Sequence, residues 1–260
     1  MITYLVIFLS VLALLVIFGH RAYFVLRKDV VEESDAFTED SEADQGKEKV
    51  VKKRLSKDEK AEIERLHRRA IAFIKRKEPK EAVKVFVQAL AINPDYADGL
   101  QELGRLYLDQ KMWGKGAAVY KHLGELTEDP VDYSHLGLAS YNAGDLDEAA
   151  SAYQQAVTLD PKRPQRYMSL GHVYRELGKL QLALIAFNKA LELEEEDVEN
   201  LLCVADLMIE MEEFDSADEL CEKVLGIAPM SKIAPRLQKE IVVKKRAAKR
   251  AENPKKGKKG

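Results

Sequence analysis

Cysteine and tryptophan are scarce in this sequence of 260 residues, which contains two cysteines and one tryptophan. Cys203 and Cys221 lie too far apart in sequence to form a CxxC redox or zinc motif. Both fall within stretches predicted to be helical, where an unpaired cysteine commonly serves as a small hydrophobic side chain. We therefore predict two reduced thiols that pack in the interior, with neither a disulfide nor a metal site.

Catalytic motifs are missing as well. The sequence contains no Walker loop, no GxSxG nucleophile motif and no HExxH zinc motif. None of the five histidines has a second ligand at the helical spacing of a metal site; they are His20, His67, His122, His135 and His172. We therefore predict that the protein is not an enzyme and that it uses no cofactor and no metal ion.

The formal net charge of -3 conceals an uneven distribution of charge along the chain. Residues 29–48 include nine acids and one lysine, whereas residues 236–260 include eleven bases and two acids. Blocks of like charge repel themselves and usually stay disordered. We predict a flexible linker at residues 29–55, acidic and then basic, and a disordered basic tail at residues 251–260.

Charge is absent from residues 2–18, and thirteen of these residues are Leu, Ile, Val or Phe. Such residues favour the bilayer by roughly 0.3–0.6 kcal/mol each, or about 4–8 kcal/mol for the run. Extended to Leu26, the segment can cross about 30 Å of hydrocarbon, with Arg21 reaching the interface. We predict a transmembrane anchor within residues 1–28. A cleaved signal peptide is the alternative, but no lysine or arginine precedes the run, and "FGHRAYF" is a poor cleavage site.

The basic residues beside the predicted span indicate its orientation. Arg21, Arg27 and Lys28 follow the span, and no lysine or arginine precedes it. The positive-inside rule then places the rest of the chain in the cytoplasm, and reduced cysteines fit that compartment. We predict a single-pass membrane protein with a cytoplasmic folded domain.

The middle of the sequence repeats with a period of 34 residues. Residues 136–161 align with residues 170–195, and both segments begin with Leu-Gly. The matched pairs are Gly144 and Gly178, Ala149 and Ala183, Tyr153 and Phe187, and Ala156 and Ala190. Three weaker copies share the frame through Ala70, Phe73, Ala82, Phe86, Ala89 and Pro94, through Leu103, Gly104, Tyr107, Trp113 and Tyr120, and through Ala205, Phe214, Ala217, Cys221 and Pro229.

This pattern resembles the tetratricopeptide repeat, a helix–turn–helix unit of 34 residues with Leu-Gly, Ala, aromatic and Pro residues at these spacings. The resemblance covers about residues 63–229. It implies an all-α, right-handed superhelical solenoid of about five repeats with a C-terminal capping helix, preceded by one transmembrane helix. The predicted domain spans residues 56–230, with repeats at about 63–96, 97–129, 130–163, 164–197 and 198–230, and the capping helix spans residues 231–250.

Individual residues fit the physics of this unit. Gly144 can adopt a positive φ and end the first helix of its repeat, and Asp145 can cap the second helix. Pro161 can stop that second helix. Ser56 and Glu59 form a capping-box pattern that predicts the start of the first helix.

Two copies depart from the pattern. The second copy has Gly116 and Leu123 where alanine is expected, and its Pro130 comes late. The fourth copy has Glu195 in the place of the proline. We predict irregular packing at both places. Trp113 stands at the position of Leu146, Leu180 and Phe214 in three other copies, which favours a packing role for it.

The resemblance also implies a concave groove lined by the first helix of each repeat. The groove positions of the family give a candidate binding surface on three repeats, with a basic tendency around two arginines. An extended or helical peptide with acidic and apolar groups would suit it. The candidate residues are Gln101, Arg105, Leu108 and Asp109 in the second repeat, Ser134, Leu138, Tyr141 and Asn142 in the third, and Met168, His172 and Arg175 in the fourth.

The basic C-terminal tail leaves three interpretations open. It could bind anionic lipid beside the anchor, contact RNA through charge alone, or simply keep the chain soluble. No aromatic residues alternate with the basic ones to support base stacking. We therefore favour lipid, or no partner at all, over nucleic acid.

Taken together, these features predict a membrane-anchored adaptor or scaffold that binds other proteins or peptides through its repeat groove. The architecture is similar to bacterial envelope-assembly scaffolds and to mitochondrial import receptors that join an N-terminal span to such repeats. One alternative is an extracytoplasmic scaffold in envelope assembly or secretion. Others are a non-catalytic regulatory subunit of a membrane enzyme complex and an enzyme whose site is unrecognised.

Overall fold

The computed structural model of the chain describes residues 54–252. Within this range the chain forms eleven α-helices and no strand, as the repeat pattern predicts. The helices are α1 (Lys57–Lys75), α2 (Pro79–Ile92), α3 (Ala97–Asp109), α4 (Trp113–Thr127), α5 (Pro130–Ala143), α6 (Leu146–Leu159), α7 (Pro164–Glu176), α8 (Leu180–Leu193), α9 (Val198–Glu210), α10 (Phe214–Ile227) and α11 (Ile233–Glu252).

Each helix packs mainly against its neighbours in sequence, so that α1 to α10 form five pairs and α11 covers the last pair. The buried apolar side chains form several clusters distributed along the chain. Ala234, Leu237 and Ile241 of α11 belong to the final cluster. A core made of successive local clusters is typical of a repeat stack, in which each unit contacts only its neighbours.

Several predicted segments lie outside the described residues, namely the transmembrane anchor at residues 1–28, most of the linker, and the tail from residue 253. Within residues 54–252, none of the helices has the length and apolar character needed to cross a membrane. The predicted capping helix corresponds to α11, which continues through Glu252 into the segment predicted as disordered tail.

The first helix begins where its capping box predicts. The Ser56 hydroxyl accepts a hydrogen bond from the Glu59 N–H at 3.1 Å, and a Glu59 carboxylate oxygen accepts from the Ser56 N–H at 2.8 Å. The two residues thereby satisfy two N–H groups that would otherwise lack a partner at the helix end. Helix α1 therefore starts at Lys57, ahead of the repeat pattern itself.

The same left-handed turn joins the two helices of every repeat. The N–H of the residue after the turn donates to a carbonyl near the end of the first helix, at 2.8–2.9 Å in all five cases. This bond closes a helix end through a residue of positive φ. The residues concerned are Lys77 (φ 60°), Lys111 (φ 55°), Gly144 (φ 86°), Gly178 (φ 71°) and Glu212 (φ 62°). The predicted role of Gly144 is confirmed, and the Asp145 carboxylate caps α6 by accepting from the Glu148 N–H at 3.1 Å.

Gly144→Ala should lower the free energy of unfolding by about 1 kcal/mol, because an L-residue with a Cβ is strained in the left-handed region. No atom lies within 4 Å of the added Cβ, so steric crowding does not contribute. Gly226→Ala is the matched control, since Gly226 also has open space around it but sits inside α10. That change should raise stability by up to about 1 kcal/mol. Urea unfolding followed by circular dichroism measures the free energy of unfolding of both variants. Equal effects of the two substitutions would show that the positive φ at position 144 is not the cause.

The two helices of a repeat approach closely because an aromatic ring of the second lies on a glycine of the first. A Cβ on Gly137 would lie 2.8 Å from the ring of Tyr153, and one on Gly171 would lie 2.7 Å from the ring of Phe187. Tyr120 lies on Gly104 in the same way. The Leu-Gly and aromatic positions of the sequence pattern are therefore two sides of one contact.

The predicted irregularity of the second copy is confirmed. Only Glu128 and Asp129 separate α4 from α5, and Glu128 adopts a φ of 53°. Gly124 faces α5, because a Cβ on it would lie 3.2 Å from the Tyr133 ring. A Cβ on Gly116 would likewise lie 3.8 Å from the Cβ of Ala139 in α5. Small residues thus allow α5 to pack closely against the preceding repeat.

The irregularity predicted for the fourth copy was wrong. Helix α8 ends at Leu193 and is followed by Glu194 with φ −138° and ψ 84°. The equivalent Asp160, which precedes a proline, has φ −138° and ψ 93°. The chain therefore leaves the second helix in the same way with or without the proline, and Asp197 then caps α9.

Candidate functional site

Helix α5 carries three large apolar side chains on its exposed side as well as apolar side chains on its buried side. Leu136 and Ala139 are buried, whereas Val131, Leu138 and Tyr141 are 45%, 41% and 36% exposed. Residues seven and ten positions along a helix return to the same face. These three side chains therefore form a single exposed strip, which we call the α5 stripe.

Two polar residues of the predicted groove hydrogen-bond to the scaffold beside this stripe. The Ser134 hydroxyl donates to the Pro130 carbonyl at 2.7 Å, and the Arg166 Nε donates to the Ser134 Oγ at 3.1 Å. The Asn142 amide donates to the Leu138 carbonyl at 2.8 Å. Ser134 thus links α5 to α7, and Asn142 is held on the same helix as the stripe.

On the side of the preceding repeat, helix α3 contributes four of the predicted groove residues. Gln101, Arg105 and Asp109 are exposed, as a binding surface requires. Leu108 is half-buried, and a Cβ on Gly116 would lie 3.0 Å from its Cδ2 atom. Leu108 therefore serves the packing of α3 on α4 as well as any exposed surface.

On the side of the following repeat, helix α7 contributes three predicted residues that are less accessible. Met168 is buried at 9% exposure, so its side chain packs within the stack. His172 is half-buried and meets the Phe187 ring edge-on, with a centroid distance of 5.1 Å. Arg175 is half-buried too and reaches across to α9.

The predicted basic tendency around the two arginines was wrong. The Arg105 guanidinium pairs with Glu102 at 2.5 Å. The Arg175 guanidinium donates to the Asp206 carboxylate at 2.7 Å and also to the Glu210 carboxylate, and these hydrogen bonds raise the pKa of Arg175. Positive charge at both places is therefore already matched by carboxylates. The acids lie outside the predicted set of groove residues: Glu102 directly follows Gln101, and Asp206 and Glu210 belong to the next repeat.

The cysteines are packing residues, as predicted. Cys221 is fully buried, Cys203 is half-buried, and both thiols are free. Burial raises the pKa of each thiol to about 11. The Cys203 sulfur lies 3.8 Å from the His172 Nε2, but burial lowers the pKa of His172, so both groups are neutral at pH 7. A nucleophilic cysteine needs a lowered thiol pKa, so this pair does not form a thiolate nucleophile.

The described part of the chain contains no candidate metal-binding site. No group of three or more His, Cys, Asp or Glu side chains within residues 54–252 is arranged to hold a metal ion. Among the predicted groove residues, Leu138 and Tyr141 offer an exposed apolar surface on α5, and the arginines of α3 and α7 are paired with carboxylates. Val131 is not among the groove residues predicted from the sequence, although it is an apolar residue three positions before Ser134 on the same helix.

Comparison with known proteins agrees with this geometry. Residues 135–197 match the family model for the tetratricopeptide repeat. The match runs from within α5 to just past the end of α8, across the third and fourth helix pairs, and the other pairs share the turn and packing geometry described above. One curated relative is the mitochondrial import receptor subunit TOM70 of Rattus norvegicus, 26% identical over 136 residues, which are 52% of this chain and 22% of the relative. The chain thus spans about a fifth of that relative's length.

Two solved structures share the fold. The crystal structure of MamA protein superposes with a TM-score of 0.61 at 19% identity, over 65% of this chain and 92% of the other. YrrB, described as a TPR protein with an unusual peptide-binding site, superposes with a TM-score of 0.59 at 18% identity, over 67% of this chain and 90% of the other. At these identities the likeness extends to the fold only.

Proposed function

We propose that this protein is a membrane-anchored, non-catalytic adaptor that binds a partner protein on the first-helix surface centred on the α5 stripe. The exposure of Val131, Leu138 and Tyr141 on one helix face carries this proposal. Large apolar side chains grouped on an exposed face are typical of protein-binding surfaces, and aromatic residues such as tyrosine are frequent binding anchors.

The chemistry of the surface defines the partner more closely than the sequence does. Because the charges of Arg105 and Arg175 are matched within the scaffold, an acidic partner gains little from them. An extended or helical segment with apolar side chains spaced along one edge fits the stripe better. The import-receptor name of TOM70 and the peptide-binding description of YrrB support a role in binding protein segments.

Site-specific photocrosslinking tests this surface. The photoreactive residue benzoylphenylalanine replaces Tyr141 in the stripe or, as a control, the exposed Gln155 on α6. Crosslinking in native membranes should yield a discrete product from position 141 and none of that size from position 155. The same products from both positions, or none from position 141, would refute the stripe as the binding surface.

The anchoring part of the proposal depends on the uncharged run at residues 2–18, and the cytoplasmic orientation depends on the basic residues that follow it. An extracytoplasmic scaffold is the main rival. The two proposals differ in the compartment that holds the folded domain, and the same surface would meet different partners in each compartment.

Cysteine labelling in intact cells should report the orientation, provided an added cysteine is used. At pH 7 the native thiols, with pKa values of about 11, remain almost entirely protonated and should label slowly. Ser151→Cys introduces a thiol at an exposed position of α6. A membrane-impermeant maleimide should label it only after permeabilisation if the domain is cytoplasmic. Labelling in intact cells would instead support the extracytoplasmic scaffold, and the unchanged protein provides the background.

A further inference from the structure

A cleft of about 280 Å³ opens between α4, α5 and the start of α6, away from the α5 stripe. Four of its nine lining residues are glycine or alanine, and three are charged. The lining residues are Gly114, Ala117, Ala118, Lys121, Leu136, Ser140, Ala143, Asp145 and Glu148. Ser140 is buried whereas Leu138 and Tyr141 are exposed, so the cleft and the stripe lie on different sides of α5.

The repeat alignment explains why the cleft exists. Ser140 occupies a position that holds a large side chain in all four other repeats, namely Phe73, Tyr107, Tyr174 and Met208. Each of these large side chains packs into an apolar cluster of its own repeat. The third repeat has only a serine there, and the facing helix offers small residues that do not fill the space. The cleft is therefore the space that a large side chain fills in the other repeats. That side chain is aromatic in three of them.

The floor of the cleft is polar and incompletely bonded. Ser140 is 1% exposed, and among the described residues its Oγ atom has no hydrogen-bond partner. Buried hydroxyl groups are nearly always hydrogen-bonded, so this atom is available to a group that enters the cleft. At the rim, the Lys121 ammonium lies 3.1 Å from the Glu148 carboxylate. The Asp145 carboxylate also lines the cleft and accepts a hydrogen bond from the Glu148 N–H, so the rim has one more acid than base.

We propose that this cleft receives a tyrosine side chain of a partner protein. The ring takes the place that Tyr107 and Tyr174 fill in the neighbouring repeats, against the alanine walls. The phenol oxygen pairs with the Ser140 hydroxyl, which a phenylalanine or leucine anchor would leave unsatisfied. Lys121 is paired with Glu148 and the remaining rim charge, on Asp145, is negative, so a neutral anchor fits the cleft better than an acidic one. Tyrosine commonly plays this part at interfaces, with an apolar body and a polar tip. The site is separate from the stripe and stands without it.

Trp113, the single tryptophan, precedes the cleft residue Gly114 and provides a fluorescence probe in the full-length chain. The detergent-solubilised protein is titrated with N-acetyl-tyrosine amide while the Trp113 emission is followed. A saturable change should appear with the tyrosine probe, and N-acetyl-leucine amide should bind about tenfold or more weakly. Equal binding of the two probes, or no saturable change with the tyrosine probe, would overturn the proposal.

Variants then locate the binding. Ser140→Tyr introduces the residue found in two other repeats and should abolish the fluorescence response. Ala118→Leu should abolish it too, because Ala118 lines the cleft at an exposed position, so the larger side chain narrows the cleft without changing the core. Ser140→Ala should weaken the tyrosine probe by about 2- to 10-fold and leave a phenylalanine probe unchanged, since it removes only the hydroxyl. Tyr141→Ala, in the stripe, should bind like the unchanged protein.

Several outcomes would contradict the assignment. Undiminished binding by both Ser140→Tyr and Ala118→Leu would place the probe elsewhere. Melting curves by circular dichroism verify that each variant is folded. If Ser140→Tyr does not fold, Ala118→Leu still tests the cleft. If the protein self-associates and Ser140→Tyr makes it monomeric, the occupant is a second copy of this chain and not a different partner. Failure of this test leaves the stripe proposal intact, because Tyr141 crosslinking examines the other side of α5.

Discussion

Phe187→Ala should lower the free energy of unfolding by about 3–5 kcal/mol, because Phe187 is among the largest fully buried side chains of the described residues. The Phe187 side chain is fully buried and packs against the backbone of Gly171, while His172 meets its ring edge-on. The Phe187 carbonyl also accepts a hydrogen bond from the buried Asn200 amide of the next repeat at 3.0 Å. Removing the ring leaves a cavity at the junction of two repeats, which the helices can close only by shifting.

A matched control is available two residues away on the same helix. Ile185 is 43% exposed, so Ile185→Ala removes an apolar side chain of similar type at much smaller cost. Urea unfolding should show a large shift of the midpoint for Phe187→Ala and a small one for Ile185→Ala. Equal shifts would mean that the Phe187 side chain does not hold the repeat junction.

The contact between Gly171 and Phe187 can be isolated with a double-mutant cycle. Gly171→Ala places a Cβ 2.7 Å from the Phe187 ring, so it should destabilise the unchanged protein. In the Phe187→Ala background that obstacle is gone, and alanine should stabilise α7 by up to about 1 kcal/mol through helix propensity. The two substitutions should therefore be strongly non-additive. Additive effects would exclude the direct glycine–ring contact.

Much of the scaffold follows from local sequence physics. The positive φ of Gly144 could be predicted because glycine adopts it without strain. The same conformation at Lys77, Lys111 and Glu212 has no such local marker and follows only from their position in the repeat. Conversely, the absence of proline at Glu195 predicts irregular packing, but Glu194 and Asp160 have nearly the same φ and ψ, so this turn does not depend on the proline.

The candidate surface was less predictable, because its character depends on contacts between repeats. The sequence places Leu138 and Tyr141 on the outer face of α5 by helical period alone. The burial of Met168 and the pairing of Arg175 with acids of α9 depend on how far the next repeat rotates, and no single repeat contains that information. Ser140 stands out in the alignment as the one small residue of its column, yet only the structure shows that its neighbours leave the space open.

Leu138→Glu should weaken binding of the crosslinked partner by at least about tenfold, because a charge in the centre of an apolar contact must be desolvated without a counter-ion. Leu138 is 41% exposed, so the substitution leaves the core unchanged and should not alter stability by more than about 0.5 kcal/mol. Leu159→Glu is a close control, since Leu159 is 42% exposed at the end of α6 in the same repeat. Both variants gain the same charge, so a general electrostatic effect would appear in both. The dissociation constant of the partner identified through position 141, measured by calorimetry for all three proteins, should rise for Leu138→Glu alone. A parallel rise for Leu159→Glu, or an unchanged constant for Leu138→Glu, would show that binding does not depend on the α5 stripe.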